Sequence, residues 1–198
     1  MTSSAPARPV MSQLPLQIPG EPGVWVFLIC EMVVFTALFG VIAFNGSVNR
    51  QIFADAQHAL ITPLGMINTC VLIGGSVVVM LAIADVQAGR HSKAARLMAA
   101  AMACGVVFAV IKGIEYATVI HHGMWIHTNV FWLLFFVVTG AHLLHVLVGV
   151  TVLGLARRAV GNGLPGSRDH DLFLSAACYW HLVDLLWLVL FPLFYLAN

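Results

Sequence analysis

Residues 129–155 read NVFWLLFFVVTGAHLLHVLVGVTVLGL, and this stretch decides the class of fold. It contains no Asp, Glu, Lys or Arg. An α-helix needs about 20 apolar residues to cross a bilayer, and this run is long enough. A barrel strand would be about 10 residues long, with apolar and polar residues in alternation. The stretch therefore predicts a transmembrane helix.

Four similar stretches accompany it, at about 24–44, 64–84, 97–120 and 172–197. The chain thus predicts an all-α bundle of five transmembrane helices. Its composition agrees, because 61% of the residues are hydrophobic and 9% are charged, against about 25% charged in a soluble domain. Little chain remains for a soluble enzymatic domain. A net charge of +1 gives no electrostatic basis for binding nucleic acid.

The loops predict the orientation. Residues 1–22 hold five of the eight prolines and are expected to form a flexible cytoplasmic arm before a membrane domain at 23–198. A polar loop is expected between the first two spans. Basic residues gather in the arm and in the loops at 85–96 and 156–171, whereas the opposite side holds only Arg50. The positive-inside rule therefore places the N-terminus in the cytoplasm and the C-terminus outside.

Seven ionisable residues lie inside the spans, where each costs at least about 2.5–3.5 kcal/mol unless it has a partner. Six of them form pairs three residues apart, which places each pair on one helix face. Counting 1.5 Å per residue puts several at similar depth, so they predict a buried polar layer from three helices. A contact of His145 with His181 or Asp184 is expected there. The seven residues are Glu31, Lys112, Glu115, His142, His145, His181 and Asp184.

Three interpretations of this layer remain open. It can be a satisfied network that fixes helix register, a participant in proton movement, or a set of histidine ligands for haem or a metal. The four cysteines lie in apolar stretches without a C-x-x-C pair, so buried thiols are expected and no zinc site or disulfide. Hydrolase and phosphate-binding motifs are also absent from the sequence. No catalytic, cofactor-binding or metal-binding residue is therefore assigned to this chain.

Small residues recur every four positions on the third span. Such a ribbon allows another helix to approach closely, either within the bundle or from a partner subunit. The ribbon consists of Ala101, Gly105, Ala109 and Gly113.

The polar residues lie in strings that resemble subunit III of the haem–copper oxidases, the cytochrome c oxidase subunit III family. The resemblance runs from about residue 19 to residue 197. Its most specific strings are TGAHLLHVLVG at 139–149 and YWHLVDLLW at 179–187. Two weaker matches are WVF at 25–27 with Glu31 and Phe35, and KGIEY at 112–116. Four features look closer to a short, five-helix branch of the family that is associated with nitric oxide reductase. They are GEPGVW at 20–25, INT at 67–69, Lys112, and LFPLFYL at 190–196.

The resemblance implies a non-catalytic subunit in a bacterial inner membrane. Haem and copper would belong to the partner, the catalytic subunit I of an oxidase or of a nitric oxide reductase. This chain would stabilise that partner, support its proton uptake and contact membrane lipids. Glu31 matches the family's intramembrane carboxylate, and His145, His181 and Asp184 match buried polar positions. The long form's lipid cleft is walled by two helices that are missing here, so a bound phospholipid does not follow directly.

Two other classes of function compete with this one. A stand-alone haem b carrier would use His145 and His181 as ligands. A proton or ion transporter would be built around Glu31 and Asp184, although the sequence shows no internal repeat of the kind that many transporters have.

Overall fold

A computed structural model describes residues 22–196, and all of its regular structure is helical. The five long helices are α1 (Pro22–Val48), α3 (Thr62–Gln87), α4 (His91–His121), α5 (Val130–Gly161) and α6 (Ser167–Tyr195). Each is long and apolar enough to cross a membrane. The fold class is therefore the expected one, and the protein is an integral membrane protein. Residues 1–21 of the expected arm lie outside the described residues, as do residues 197 and 198.

The expected polar loop after the first span is mostly a short helix, α2 (Arg50–His58). It is amphipathic: Phe53 and Ala56 are buried, whereas Arg50 and Asp55 are exposed. Phe53 packs edge-on against Phe131 of α5, with 5.1 Å between ring centroids. Burial of this one aromatic face attaches the connection to the bundle.

Local capping features explain where some of the long helices begin and end. Asn129 caps α5, because its extended backbone lets the side-chain oxygen accept a hydrogen bond from the Trp132 N–H at 3.1 Å. Gly89 follows α3 with a φ of +73°, a conformation that glycine adopts without strain. At this turn Asp85 accepts from Arg90 at 2.5 Å and lies 3.3 Å from Lys93.

Helix α6 lies at the centre and α1 at the edge. Of their most apolar windows, 56% of the α6 residues are buried but only 17% of the α1 residues. Helix α6 packs against α1, α3 and α5, and α4 packs against α3 and α5. The polar strings of α4, α5 and α6 therefore face one another across a shared core.

The small-residue ribbon divides between the core and the surface. Ala101 and Gly105 are buried, Ala109 is half-buried and Gly113 is exposed. A Cβ on Gly105 would lie 2.5 Å from Cγ2 of Val150 and 2.9 Å from the Trp180 ring, whereas one on Gly113 would meet nothing within 4 Å. The first half of the ribbon therefore allows α5 and α6 to pack closely against α4, and the second half points outward.

The cysteine expectation was wrong for two residues. Cys30 and Cys70 are exposed on the outer surfaces of α1 and α3, whereas Cys104 and Cys178 are partly buried. All four are free thiols. An apolar span has a lipid-facing side, so location in a span does not by itself predict burial within the bundle.

Candidate functional site

A fully buried ion pair lies on α4, on the side that faces the end of α6. Lys112 Nζ is 2.7 Å from Glu115 Oε2 and donates a second hydrogen bond to the Tyr195 hydroxyl at 2.9 Å. Tyr195 donates to the Glu115 carboxylate, 2.6 Å from Oε1 and 2.7 Å from Oε2. Lys112 and Glu115 lie one helical turn apart, so the helix itself brings them together. Tyr195 extends the pair to the end of α6.

Aromatic rings surround the Lys112 ammonium. It lies 4.5 Å from the Phe135 ring centroid and 5.0 Å from that of Trp187, with Tyr116 and Tyr195 at 5.4 Å each. A cation within about 6 Å of a ring face is attracted by its quadrupole. The rings therefore replace part of the hydration that Lys112 loses on burial.

His142 adjoins this cluster but is held by packing. It is completely buried, with its ring 5.3 Å from Trp187 in a stacked arrangement and 5.6 Å from Phe108 edge-on. Neither ring nitrogen has a hydrogen-bond partner within residues 22–196. Trp187 donates its indole N–H to Thr69 Oγ1 at 3.0 Å, which orients the ring on which His142 stacks.

A second pair joins α1 to α5 nearer the surface. His145 Nε2 is 3.1 Å from Glu31 Oε2, and the two side chains are 18% and 21% exposed. His145 Nδ1 is 2.7 Å from the Ala141 carbonyl, so both ring nitrogens are engaged. Phe35 meets the imidazole edge-on at 5.3 Å. Glu31 is thus held in place on the most exposed of the long helices.

A third group joins α3 to α6. His181 Nδ1 is 3.2 Å from Ser76 Oγ, and the Asp184 carboxyl interacts with the same serine. Ser76 and Asp184 are buried and His181 is half-buried. One α3 hydroxyl therefore bonds His181 and lies beside Asp184, the two polar residues of the YWHLVDLLW string.

The structure replaces the single expected polar layer with these three groups. His145 contacts Glu31 instead of His181 or Asp184, so the expected contact was wrong. Sequence reasoning also missed Ser76 and Tyr195. Ser76 belongs to an apolar run, and Tyr195 stands among aromatic residues, so neither has a local signal that names its partner.

The geometry does not favour haem ligation by His145, because both of its nitrogens have other partners. Across the described part of the chain, no group of three His, Cys, Asp or Glu side chains has the arrangement of a metal site. What the three groups do is connect helices: α4 to α6, α1 to α5, and α3 to α6.

Comparison with known proteins identifies the family to which this sequence belongs. The family model described as cytochrome c oxidase subunit III matches residues 15–198. The chain belongs to the cytochrome c oxidase subunit III family. The match includes all four strings that carried the resemblance, so the polar groups lie within subunit III sequence.

Individual relatives support the same family assignment. Cytochrome c oxidase subunit 3 of Corynebacterium diphtheriae is 30% identical over 181 residues, covering 89% of this chain and 87% of the relative. The Thermostichus vulcanus protein of the same name is 32% identical over 178 residues, covering 89% and 86%. A heme-copper oxidase subunit I+III of Aeropyrum pernix is 27% identical over 180 residues, covering 87% of this chain and 22% of the relative.

Proposed function

We propose that this chain is a non-catalytic membrane subunit that packs beside the haem-bearing catalytic subunit I of a respiratory complex in a bacterial inner membrane. Family membership carries the proposal. The Aeropyrum pernix relative, named as subunit I+III, supports the choice of partner. Haem and copper would be held by that partner. This chain would stabilise it and support its proton uptake.

The internal chemistry of the bundle fits an accessory role. Lys112 and Glu115 satisfy each other, and His181 bonds Ser76 of a neighbouring helix. A cavity of about 570 Å³ between α1, α2 and α6 is lined by none of the seven intramembrane ionisable residues. The polar groups thus hold helices together, and Glu31 remains partly exposed on the outer helix α1.

The finer proposal is a complex that reduces nitric oxide, with a terminal oxidase as the second candidate. It rests on the strings that resemble the short branch. Lys112 and Tyr195, which come from two of those strings, are in direct contact at 2.9 Å, and Trp187 binds Thr69 of a third. Thr69 and Lys112 both contact Trp187, so these branch-like residues form one connected cluster.

Affinity purification of the tagged protein in mild detergent tests the proposal, with mass spectrometry and visible absorption of the eluate. A co-purified haem-bearing subunit is expected, and its consumption of nitric oxide or oxygen would choose between the two complexes. An intact, colourless chain recovered alone would overturn the accessory role in favour of a transporter. A Soret band on the chain alone would instead favour the haem carrier.

A further inference from the structure

Two adjacent histidines stand at the end of α4, outside the three groups that join the helices. His121 is the last residue of the helix and His122 follows it. Both residues are exposed, and their ring centroids lie 6.0 Å apart with the ring planes at 80°. Their exposure leaves both imidazoles open to an ion from solution.

The end of α4 is held in a fixed backbone conformation. Gly123 has a φ of +81° and donates its N–H to the Ile120 carbonyl at 2.9 Å, while the Met124 N–H donates to the Val119 carbonyl at 3.2 Å. These two hydrogen bonds form the Schellman motif, in which a glycine ends a helix without steric cost. Met124 is partly buried and packs against the hydrophobic core. The two histidines therefore extend from an anchored helix end.

The His122 ring is oriented as a metal ligand would be. Its Nδ1 lies 2.8 Å from the Thr118 carbonyl oxygen. A carbonyl only accepts, so Nδ1 carries the hydrogen and Nε2 keeps its lone pair for an ion. Metal-binding histidines commonly donate their second ring nitrogen to a carbonyl or a carboxylate in this way. The His121 ring forms no hydrogen bond within the described residues, so it can turn toward the same ion.

The spacing of the two rings suits a shared ion. An imidazole centroid lies about 3.2 Å from a metal bound at one of its nitrogens, when the metal–nitrogen distance is about 2.1 Å. Two rings on one ion then have centroids about 4.5–6.4 Å apart, for angles at the metal between about 90° and 180°. The observed 6.0 Å lies within this range. The partial negative charge at the C-terminal end of a helix also favours a cation in this position.

We propose that His121 and His122 bind one divalent transition-metal ion, with Cu²⁺ held more tightly than Zn²⁺. Imidazole nitrogen suits both metals, and Cu²⁺ forms the stronger complex with a given set of ligands. No third His, Cys, Asp or Glu completes a metal-binding group with the pair within residues 22–196. Water would therefore occupy the remaining coordination positions, and the ion would exchange with the solution. The site needs no partner subunit, so its test is independent of the accessory role.

The test is a titration of the full chain with Cu²⁺ in mild detergent, followed by electron paramagnetic resonance. The chain is purified through a tag without histidine, because a polyhistidine tag would itself bind copper. We expect one tightly bound ion per chain, with hyperfine coupling to two imidazole nitrogens. His121→Gln and His122→Gln should each weaken binding by at least about tenfold, since loss of an outer-shell partner alone costs about 10–100-fold. Each single variant should also lose the coupling to one nitrogen.

The matched control is His127→Gln, which removes an imidazole from the loop after α4 and should bind copper as the wild type does. All variants keep the four free thiols, so copper bound by cysteine is common to them. Equal binding by the wild type and His121→Gln/His122→Gln would overturn the proposal. An equal loss in His127→Gln would contradict the assignment to the pair. Displacement of Cu²⁺ by Mg²⁺ at similar concentration would indicate only a general attraction for cations, and would also overturn it.

Discussion

Lys112 and Glu115 form an ion pair in the interior of a membrane-crossing helix, with 2.7 Å between Nζ and Oε2 and side-chain exposures of 0% and 2%. A charge in this position is costly, and its cost falls when a partner of opposite sign is adjacent. Each residue is therefore tolerated because the other is present. Since Tyr195 binds both, the pair also determines where the end of α6 packs.

Loss of one member of this pair should destabilise the bundle strongly. Lys112→Met leaves the Glu115 carboxylate buried with Tyr195 alone. We expect a loss of about 3–5 kcal/mol in the free energy of unfolding, the usual cost of an uncompensated buried charge. Denaturation of the full chain in detergent micelles measures it. A stability equal to that of the wild type would contradict a stabilising role for the ion pair.

Removal of both charges should be much less harmful. Lys112→Met/Glu115→Leu replaces the pair by apolar groups of similar size, and such replacements are often neutral or stabilising. We expect the double variant to be more stable than Lys112→Met alone, which a thermodynamic cycle measures. Additive losses would mean that the two residues act through other contacts. Purification of the double variant would also show whether the pair is needed for partner binding.

Tyr195→Phe should cost more than Tyr116→Phe. The Tyr195 hydroxyl binds a charged carboxylate, worth about 1.5–3 kcal/mol, whereas the Tyr116 hydroxyl binds neutral Thr139 at 2.6 Å, worth about 0.5–1.5 kcal/mol. The same denaturation assay compares the two variants. Both substitutions remove one hydroxyl from a tyrosine near Lys112, so equal losses would contradict the role of the charge.

The sequence predicts contacts within a helix better than contacts between helices. Lys112 and Glu115 were placed on one face because helical periodicity fixes residues three apart. The Glu31–His145 pair was missed because depth along the membrane does not determine which sides of two helices face each other. Helix α2 was missed because a short amphipathic segment resembles a polar loop.

Glycine-to-alanine substitutions should have different effects on stability at the two ends of the small-residue ribbon. Gly105→Ala places a Cβ 2.5 Å from Val150 and 2.9 Å from Trp180, so we expect a loss of about 1–3 kcal/mol from overpacking. Gly113→Ala meets nothing within 4 Å and should change stability by less than about 1 kcal/mol. If Gly113→Ala instead abolishes co-purification of the catalytic subunit, the exposed end of the ribbon contacts that partner.

The predicted orientation can be tested by cysteine labelling. Asn162→Cys lies between α5 and α6, on the side that holds most of the arginines, and His122→Cys lies between α4 and α5 on the opposite side. The positive-inside rule predicts that an impermeant maleimide labels His122→Cys in intact spheroplasts and Asn162→Cys only after lysis. The unsubstituted chain, with its four native cysteines, is the control. The reverse pattern would invert the assignment.

Glu31→Gln should separate proton uptake from assembly. Its amide can still hydrogen-bond His145, so we expect a stability change of less than about 1 kcal/mol and unchanged co-purification with the catalytic subunit. The substitution removes the ionisable carboxyl from the exposed edge of the bundle, so proton uptake by the assembled complex should slow. Thr36→Val is the matched control, because it removes a hydroxyl from exposed α1 surface that, within residues 22–196, bonds only the Met32 carbonyl at 2.6 Å. Proton uptake followed with a pH indicator during turnover distinguishes the outcomes. Equal rates for Glu31→Gln and Thr36→Val would assign Glu31 a structural role, as a tether between α1 and α5.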